Sequence, residues 1–215
     1  MKKWLFQEAS HPTIVTKVID LIILNFIFII SCIPIITIGA SLTSLYHVTL
    51  KMTDSKKDYF VWRDFIKCFK QNFIQSTTAM GILLSIVALL AGMAHLINLF
   101  GEPTVIVTMP FLVGVTVIGF VTIYLFPLLA FFENTIGQMF KNALIISFHQ
   151  MAKSIVLFLI ALIIIIVIPL FMRQAWFLWL LMAFSLTAYL QSLILRRVFE
   201  AYQVGITRNE QKEKA

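Results

Sequence analysis

The stretch Ser31-Cys-Ile-Pro-Ile-Ile-Thr-Ile-Gly39 lies in the middle of a hydrophobic region that runs from Val15 to Leu50. As a single helix this region would measure about 54 Å, well beyond the roughly 30 Å of a bilayer core. Pro34 removes a backbone donor and Gly39 permits a tight reversal. We therefore expect a hairpin break at Pro34 and Gly39, with a short arm on either side. The alternative is one long, kinked helix that crosses once.

The charge distribution identifies the class of protein. The chain has 215 residues, of which 60% are hydrophobic and 13% are charged, whereas soluble domains average about 25% charged residues. Five runs contain no Asp, Glu, Lys or Arg, and each is long enough to cross a bilayer. They are residues 21–50, 71–101, 103–132, 154–172 and 174–195. These figures exclude an ordinary soluble enzyme.

The 17 basic residues predict the orientation. If residues 15–50 cross twice, alternation places 16 bases on one side and only Arg173 on the other. A single crossing splits them 13 to 4. Because Lys and Arg accumulate on the cytoplasmic side, the first arrangement is favoured. The sequence thus predicts an all-α, polytopic helical membrane protein with six membrane segments, or five if the first region crosses once, and with both termini in the cytoplasm.

The connection after the hairpin has an amphipathic pattern. Its aromatic and aliphatic side chains recur at helical spacing between Tyr59 and Phe73, and its bases mark another face. We expect an amphipathic helix that lies flat at the inner leaflet. Its role is either membrane anchoring or docking to a partner subunit. The candidate partner or lipid interface comprises Trp62, Arg63, Phe65, Ile66, Lys67, Phe69 and Lys70. Such bases suit lipid headgroups, so no nucleic-acid partner is expected.

The whole chain, 1–215, is predicted to form one membrane domain. Its polar parts are an N-terminal interfacial segment (1–20), the cytoplasmic amphipathic connection (51–72) and a cytoplasmic tail (196–215). The short connections between hydrophobic runs leave no room for a soluble domain.

Few residues at membrane depth could perform catalysis. The charge-free runs contain two histidines, His47 and His95, and His95 shares a helical face with Asn98 and Glu102. One histidine with one carboxylate falls short of the usual metal-ligand set. The sequence also has no phosphate-binding loop and no nucleophile-elbow motif. We therefore expect no enzymatic activity, no metal and no cofactor.

A small secondary transporter or channel for a polar solute, acting on its own, is the alternative function. The Pro/Gly break and the later prolines could build discontinuous helices around a solute site. Side chains that could contact the solute are Asn25, Ser31, Ser41, Ser44, Thr116, Ser185, Tyr189 and Ser192. The same small polar residues are also common in helix packing.

Several stretches together resemble the YesL-like family of bacterial membrane proteins. They are residues 32–46 and 49–51, Trp62-Arg-Asp-Phe65 with Phe69-Lys70, Phe126-Pro-Leu-Leu129 and Lys141-Asn-Ala-Leu144. The resemblance spans roughly Ile19 to Phe199 and brings no catalytic residues. It implies a bacterial cell-membrane protein encoded beside carbohydrate ABC importers. The implied role is an accessory or regulatory subunit, with importer permease or ATPase subunits and the bilayer itself as partners. Whether the chain forms an oligomer is left open.

Overall fold

A computed structural model describes residues 14–54, 58–100, 105–132, 135–171 and 179–213. These residues form helices joined by short turns, and the described ranges contain no strand, which confirms the all-α prediction. A 3-10 turn covers Ile35–Thr37, and a π-helical segment covers Ile163–Val167. The helices are α1 Ile14–Ser31, α2 Ile38–Met52, α3 Val61–Phe100, α4 Val105–Phe131, α5 Ile136–His149, α6 Met151–Leu162, α7 Ile168–Phe171 and α8 Ala183–Glu213.

The predicted hairpin break is confirmed. Helix α1 ends at Ser31, the chain turns through Pro34, and α2 begins at Ile38. At the other end of the two helices, the Tyr59 hydroxyl donates a hydrogen bond of 2.9 Å to Asp20 Oδ2. The beginning of α1 therefore lies beside the residues that follow α2, so the chain reverses between them. A single long, kinked helix is excluded.

Four helical segments are long and apolar enough to cross a membrane. They are Ile14–Ser31, Val61–Leu96, Phe111–Phe131 and Met151–Leu170. The remaining two predicted segments fall on α2 and on the residues before and within α8. Helix α2 has 15 residues, about 22 Å at the helical rise, and it lies among the other helices. Residues 172–178, which belong to the sixth predicted segment, lie outside the described residues.

Helix α2 is the centre of the bundle. It packs against α1, α3, α4 and α8, and two-thirds of its residues are buried. Its closest neighbour is α3: a Cβ added to Gly39 would lie 2.5 Å from the Ser76 carbonyl oxygen and 2.9 Å from Met80 Cβ. Gly39 was expected to allow the chain reversal, but it lies inside α2. Its missing side chain instead allows two helices to approach closely.

Three predicted boundaries differ from the structure. The amphipathic connection is helical from Val61, but it forms the beginning of α3, a helix of 40 residues and about 60 Å. It therefore cannot lie flat on the membrane independently of the following span. Neither Pro nor Gly occurs between residues 61 and 80 to end the helix there. Likewise, residues 14–20 of the interfacial segment belong to α1, and the tail continues α8 to Glu213; residues 1–13 lie outside the described residues.

The hairpin predicts where an impermeant reagent reaches the chain. We expect Ile35→Cys, 72% exposed at the turn, to react with a membrane-impermeant maleimide in spheroplasts when Cys32 and Cys68 are replaced by serine. Thr135→Cys, at the opposite end of the bundle, should react only after permeabilisation. Labelling of both sites, or only of Thr135→Cys, in sealed spheroplasts would contradict the predicted orientation.

The close approach of α2 and α3 predicts the effect of a single methyl group. Gly39→Ala should lower the free energy of unfolding by about 1–3 kcal/mol, because the added Cβ overlaps the α3 backbone. Gly92→Ala is the matched control, since a Cβ at Gly92 meets no atom within 4 Å. Thermal unfolding in detergent compares the two variants; equal midpoints would argue against the tight contact.

Candidate functional site

Polar side chains are buried between α2, α6 and α8 and bond to one another. The Tyr46 hydroxyl donates to Gln191 Oε1 at 2.5 Å, and Gln191 Nε2 donates to the Leu157 carbonyl at 3.0 Å. The hydroxyls of Thr49 and Ser192 lie 2.8 Å apart. We call Tyr46, Thr49, Gln191 and Ser192 the polar seam. Because an unpaired polar group is costly away from water, these bonds hold three helices in one register.

Asn25 makes a second buried connection, from α1 to the start of α8. Its side chain is fully buried, its Nδ2 donates to the Leu180 carbonyl at 2.7 Å, and its Oδ1 accepts from the Ser185 amide at 3.2 Å. Leu181 and Met182 form a turn at this point, so backbone groups beside the turn lack helical partners. Asn25 satisfies two of them.

The break between α5 and α6 is held in a similar way. Gln150 has φ −118° and ψ 42°, outside the helical range. Ser154 Oγ donates to the Ser147 carbonyl at 3.0 Å and lies 3.0 Å from the Tyr124 hydroxyl. The residues between α4 and α6 therefore form a separate helix, α5, whose end is fixed against α4.

The residues predicted to contact a solute are dispersed among these helix contacts. Asn25 and Ser192 bond to neighbouring helices, whereas Ser44, Thr116 and Ser185 donate to carbonyls in their own segments. Ser31 and Tyr189 are half-buried. Ser41 Oγ is buried without a hydrogen-bond partner among the described residues. The structure uses most of this set for packing and does not bring it to one face.

Ion pairs gather at the end of the bundle where α2 stops and α3 starts. Lys51 Nζ lies 3.0 Å from Asp64 Oδ1, and Arg196 lies 3.0 Å from Asp54 and 2.7 Å from Glu200. The hydrogen bond that Arg196 donates to Glu200 raises the pKa of Arg196, and the Asp54 carboxylate raises it further. These contacts attach the end of α2 to α3 and the residues after α2 to α8.

Tyr59 belongs to the same end of the bundle. Burial raises the pKa of its phenol, and the adjacent Asp20 carboxylate raises it further because a phenolate there would be repelled. The Tyr59 hydroxyl therefore remains the proton donor to Asp20 across the physiological pH range.

The residues of the candidate partner or lipid interface on α3 differ in burial: some lie in the core and others on the surface. Phe65 is only 1% exposed and packs in a core cluster with Met52 and Tyr59, whereas Trp62 is 63% exposed. Ile66 and Phe69 are half-buried, and Arg63, Lys67 and Lys70 are exposed. The helical period alone grouped Phe65 with Trp62. The positions of α1 and α2 decide that only one of the two rings lies in the core.

Helix α5 has an apolar outer face, whose residues are not among the predicted interface residues. Met139, Ala143, Ile146 and Ser147 are buried, while Leu144, Ile145 and Phe148 are exposed. Together with His149 these exposed residues line a shallow depression of about 450 Å³. The 3.6-residue period of residues 136–149 is the signal that could have found this face.

No group of three or more His, Cys, Asp and Glu in the described ranges is arranged to hold a metal ion. His47 Nδ1 lies 3.1 Å from the Ala130 carbonyl oxygen and connects α2 to α4. His95 is exposed on α3. Its predicted neighbour Glu102 and the side chain of Asn98 lie outside the described residues.

The polar seam predicts a loss of stability when one member becomes apolar. Gln191→Leu removes the partner of the Tyr46 hydroxyl and the bond to the Leu157 carbonyl, and we expect a cost of about 1–2 kcal/mol. Thr116→Val is the control, because Thr116 is exposed and bonds only within its own helix; its effect should stay within about 0.5 kcal/mol. Unfolding in detergent measures both, and an unchanged Gln191→Leu variant would mean that the seam contributes nothing.

Comparison with known proteins gives a match over one part of the chain. No curated protein and no solved structure matches it. The matching residues run from Leu21 in α1, through all of α2, to Gly92 in α3, so they include the hairpin, the Gly39 contact and the interface on α3. Over residues 21–92 the chain is similar to a family described as "Protein of unknown function, DUF624".

Proposed function

We propose that this chain is a non-enzymatic accessory or regulatory membrane subunit of a bacterial carbohydrate importer of the ABC type. The observation that carries the proposal is the pairing of buried polar side chains with one another. The side chains of Gln191, Thr49 and Asn25 form hydrogen bonds with groups on neighbouring helices. Such bonds fix the helices relative to one another, as a rigid scaffold requires. A solute site would need convergent polar groups free to bind a ligand.

The outer face of α5 supports a docking role. Ile145 and Phe148 are each nearly half exposed, on a helix of 14 residues that is too short to cross a bilayer. The bases Lys141 and Lys153, which precede and follow these residues along the chain, are exposed. An apolar centre with a polar rim is the usual composition of a protein interface. We place the importer subunit there.

The carbohydrate setting rests on the resemblance to YesL-like proteins, and the same resemblance places the chain in a bacterial cell membrane. Both termini are assigned to the cytoplasm because the basic residues concentrate at one end. The contacts between Asp20 and Tyr59 and between Asp54 and Arg196 support this arrangement, since they bring the start of α1 and the middle of α8 to that end.

Co-purification tests the proposal. The tagged chain, extracted from its native membrane in mild detergent, should recover permease or ATPase subunits of a carbohydrate importer. Ile145→Ser with Phe148→Ser should reduce that recovery at least about tenfold, because both side chains lie at the centre of the proposed interface.

A matched control is available on α6. Ile155 and Phe158 are the same residue types at similar exposure, 51% and 46% against 46% and 48%, so Ile155→Ser with Phe158→Ser should leave recovery unchanged. Purification of the chain alone in several mild detergents would refute the accessory role. Solute flux through liposomes that contain only this chain would instead support the independent transporter.

A further inference from the structure

Three bases lie on one outward face at the beginning of α3. Arg63, Lys67 and Lys70 are spaced at i, i+4 and i+7 and are all exposed, so their side chains project from the same side of the helix. Trp62 lies beside them and is 63% exposed. Tryptophan is enriched at the headgroup level of membranes, where its ring is half apolar and half polar.

Four acids at this end of the bundle contact groups other than the three bases on α3. Asp64 bonds to Lys51, Asp54 to Arg196 and Asp20 to Tyr59. Glu200 also pairs with Arg196, while Asp58 is exposed. Within the described ranges, none of the three bases on α3 forms a salt bridge. The fold therefore separates the charges and leaves a positive surface that faces outward.

The same helical face continues into the membrane segment as an uncovered apolar surface. After Lys70 it passes Ile74, 80% exposed, and then a series of exposed small residues: Thr78, Gly81, Ser85, Ala88 and Gly92. The hydroxyls of Thr78 and Ser85 donate to carbonyls one turn earlier, both at 2.8 Å. The surface thus offers no free polar group below the bases.

We propose that this face binds an anionic phospholipid of the inner leaflet. Its phosphate contacts Arg63, Lys67 and Lys70, and its acyl chains lie along the small residues between Thr78 and Gly92. An occupant must be negative at one end and apolar over the rest, and one phospholipid meets both conditions. A second copy of the chain does not meet them. In a dimer with a two-fold axis along the membrane normal, the three bases of one copy would face the same three bases of the other and repel them.

Native mass spectrometry of the purified full chain tests this inference. We titrate it with phosphatidylglycerol and, separately, with phosphatidylcholine of the same acyl chains. Wild type should bind phosphatidylglycerol about a hundredfold more tightly than phosphatidylcholine, since three bases each contribute roughly fivefold. Replacing all three bases, in the variant R63Q/K67Q/K70Q, should remove that preference, with a loss of roughly fivefold per base.

The control variant removes the same number of positive charges from other helices at the same end of the bundle. Lys141, Lys153 and Arg197 are exposed on other helices, so K141Q/K153Q/R197Q should keep the preference. The conservative variant R63K/K67R/K70R should keep it as well. Equal loss in both glutamine variants, or no preference in wild type, would overturn the proposal.

The apolar part of the face is tested by filling it. A Cβ at Gly81, Gly92 or Gly119 meets no atom within 4 Å, so a side chain can start at each position without a clash at its first carbon. G81L/G92L should weaken phosphatidylglycerol binding severalfold, whereas G119L on α4 should not. If an acidic protein occupied the face, wild type would carry a protein adduct that R63Q/K67Q/K70Q loses without any change in lipid adducts. That result would overturn the assignment to lipid.

Discussion

The close packing of α2 against α3 is the contact on which the rest of the structure depends. The Gly39 position allows α2 to lie directly on the α3 backbone at Ser76, and the hydroxyls of Thr43 and Ser76 bond across the same contact at 2.8 Å. Since lipid is as apolar as leucine, small residues and buried hydrogen bonds replace the hydrophobic effect as the forces that hold membrane helices together. With α2 fixed in the centre, α1, α4 and α8 have a surface to pack on.

This helix arrangement determines where the polar and charged side chains of the chain lie. Neutral groups such as Gln191 and Thr49 face inward and find partners there, whereas charged groups collect at one end. At that end the aspartates turn towards bases or hydroxyls of the same chain, and Arg63, Lys67 and Lys70 face outward. The interior thus suits a scaffold, and the two outward surfaces, one basic on α3 and one apolar on α5, are where the chain can meet other molecules.

Most of the fold was predictable from the sequence, and the exceptions have physical causes. The break at Pro34 was predictable because proline acts on the backbone locally. The end of the amphipathic helix was not, because no residue between 61 and 80 stops a helix, and a change from polar to apolar composition at Gln71 does not interrupt backbone hydrogen bonds. Phe65 was assigned to an outer face for a related reason: helical period locates faces but does not say which one a neighbour covers.

The sequence by itself determined that the chain is helical, that it is embedded in a membrane, and that the first hydrophobic region folds back on itself. Composition, charge spacing and the Pro34 break are local properties that need no knowledge of neighbours. Only the tertiary structure decided that Gly39 serves close packing, that Asn25 and Gln191 bond to distant backbone carbonyls, and that α5 presents an apolar outer face. These properties arise from contacts between residues more than 30 positions apart, or from which face of a helix is left uncovered, and no local pattern records them.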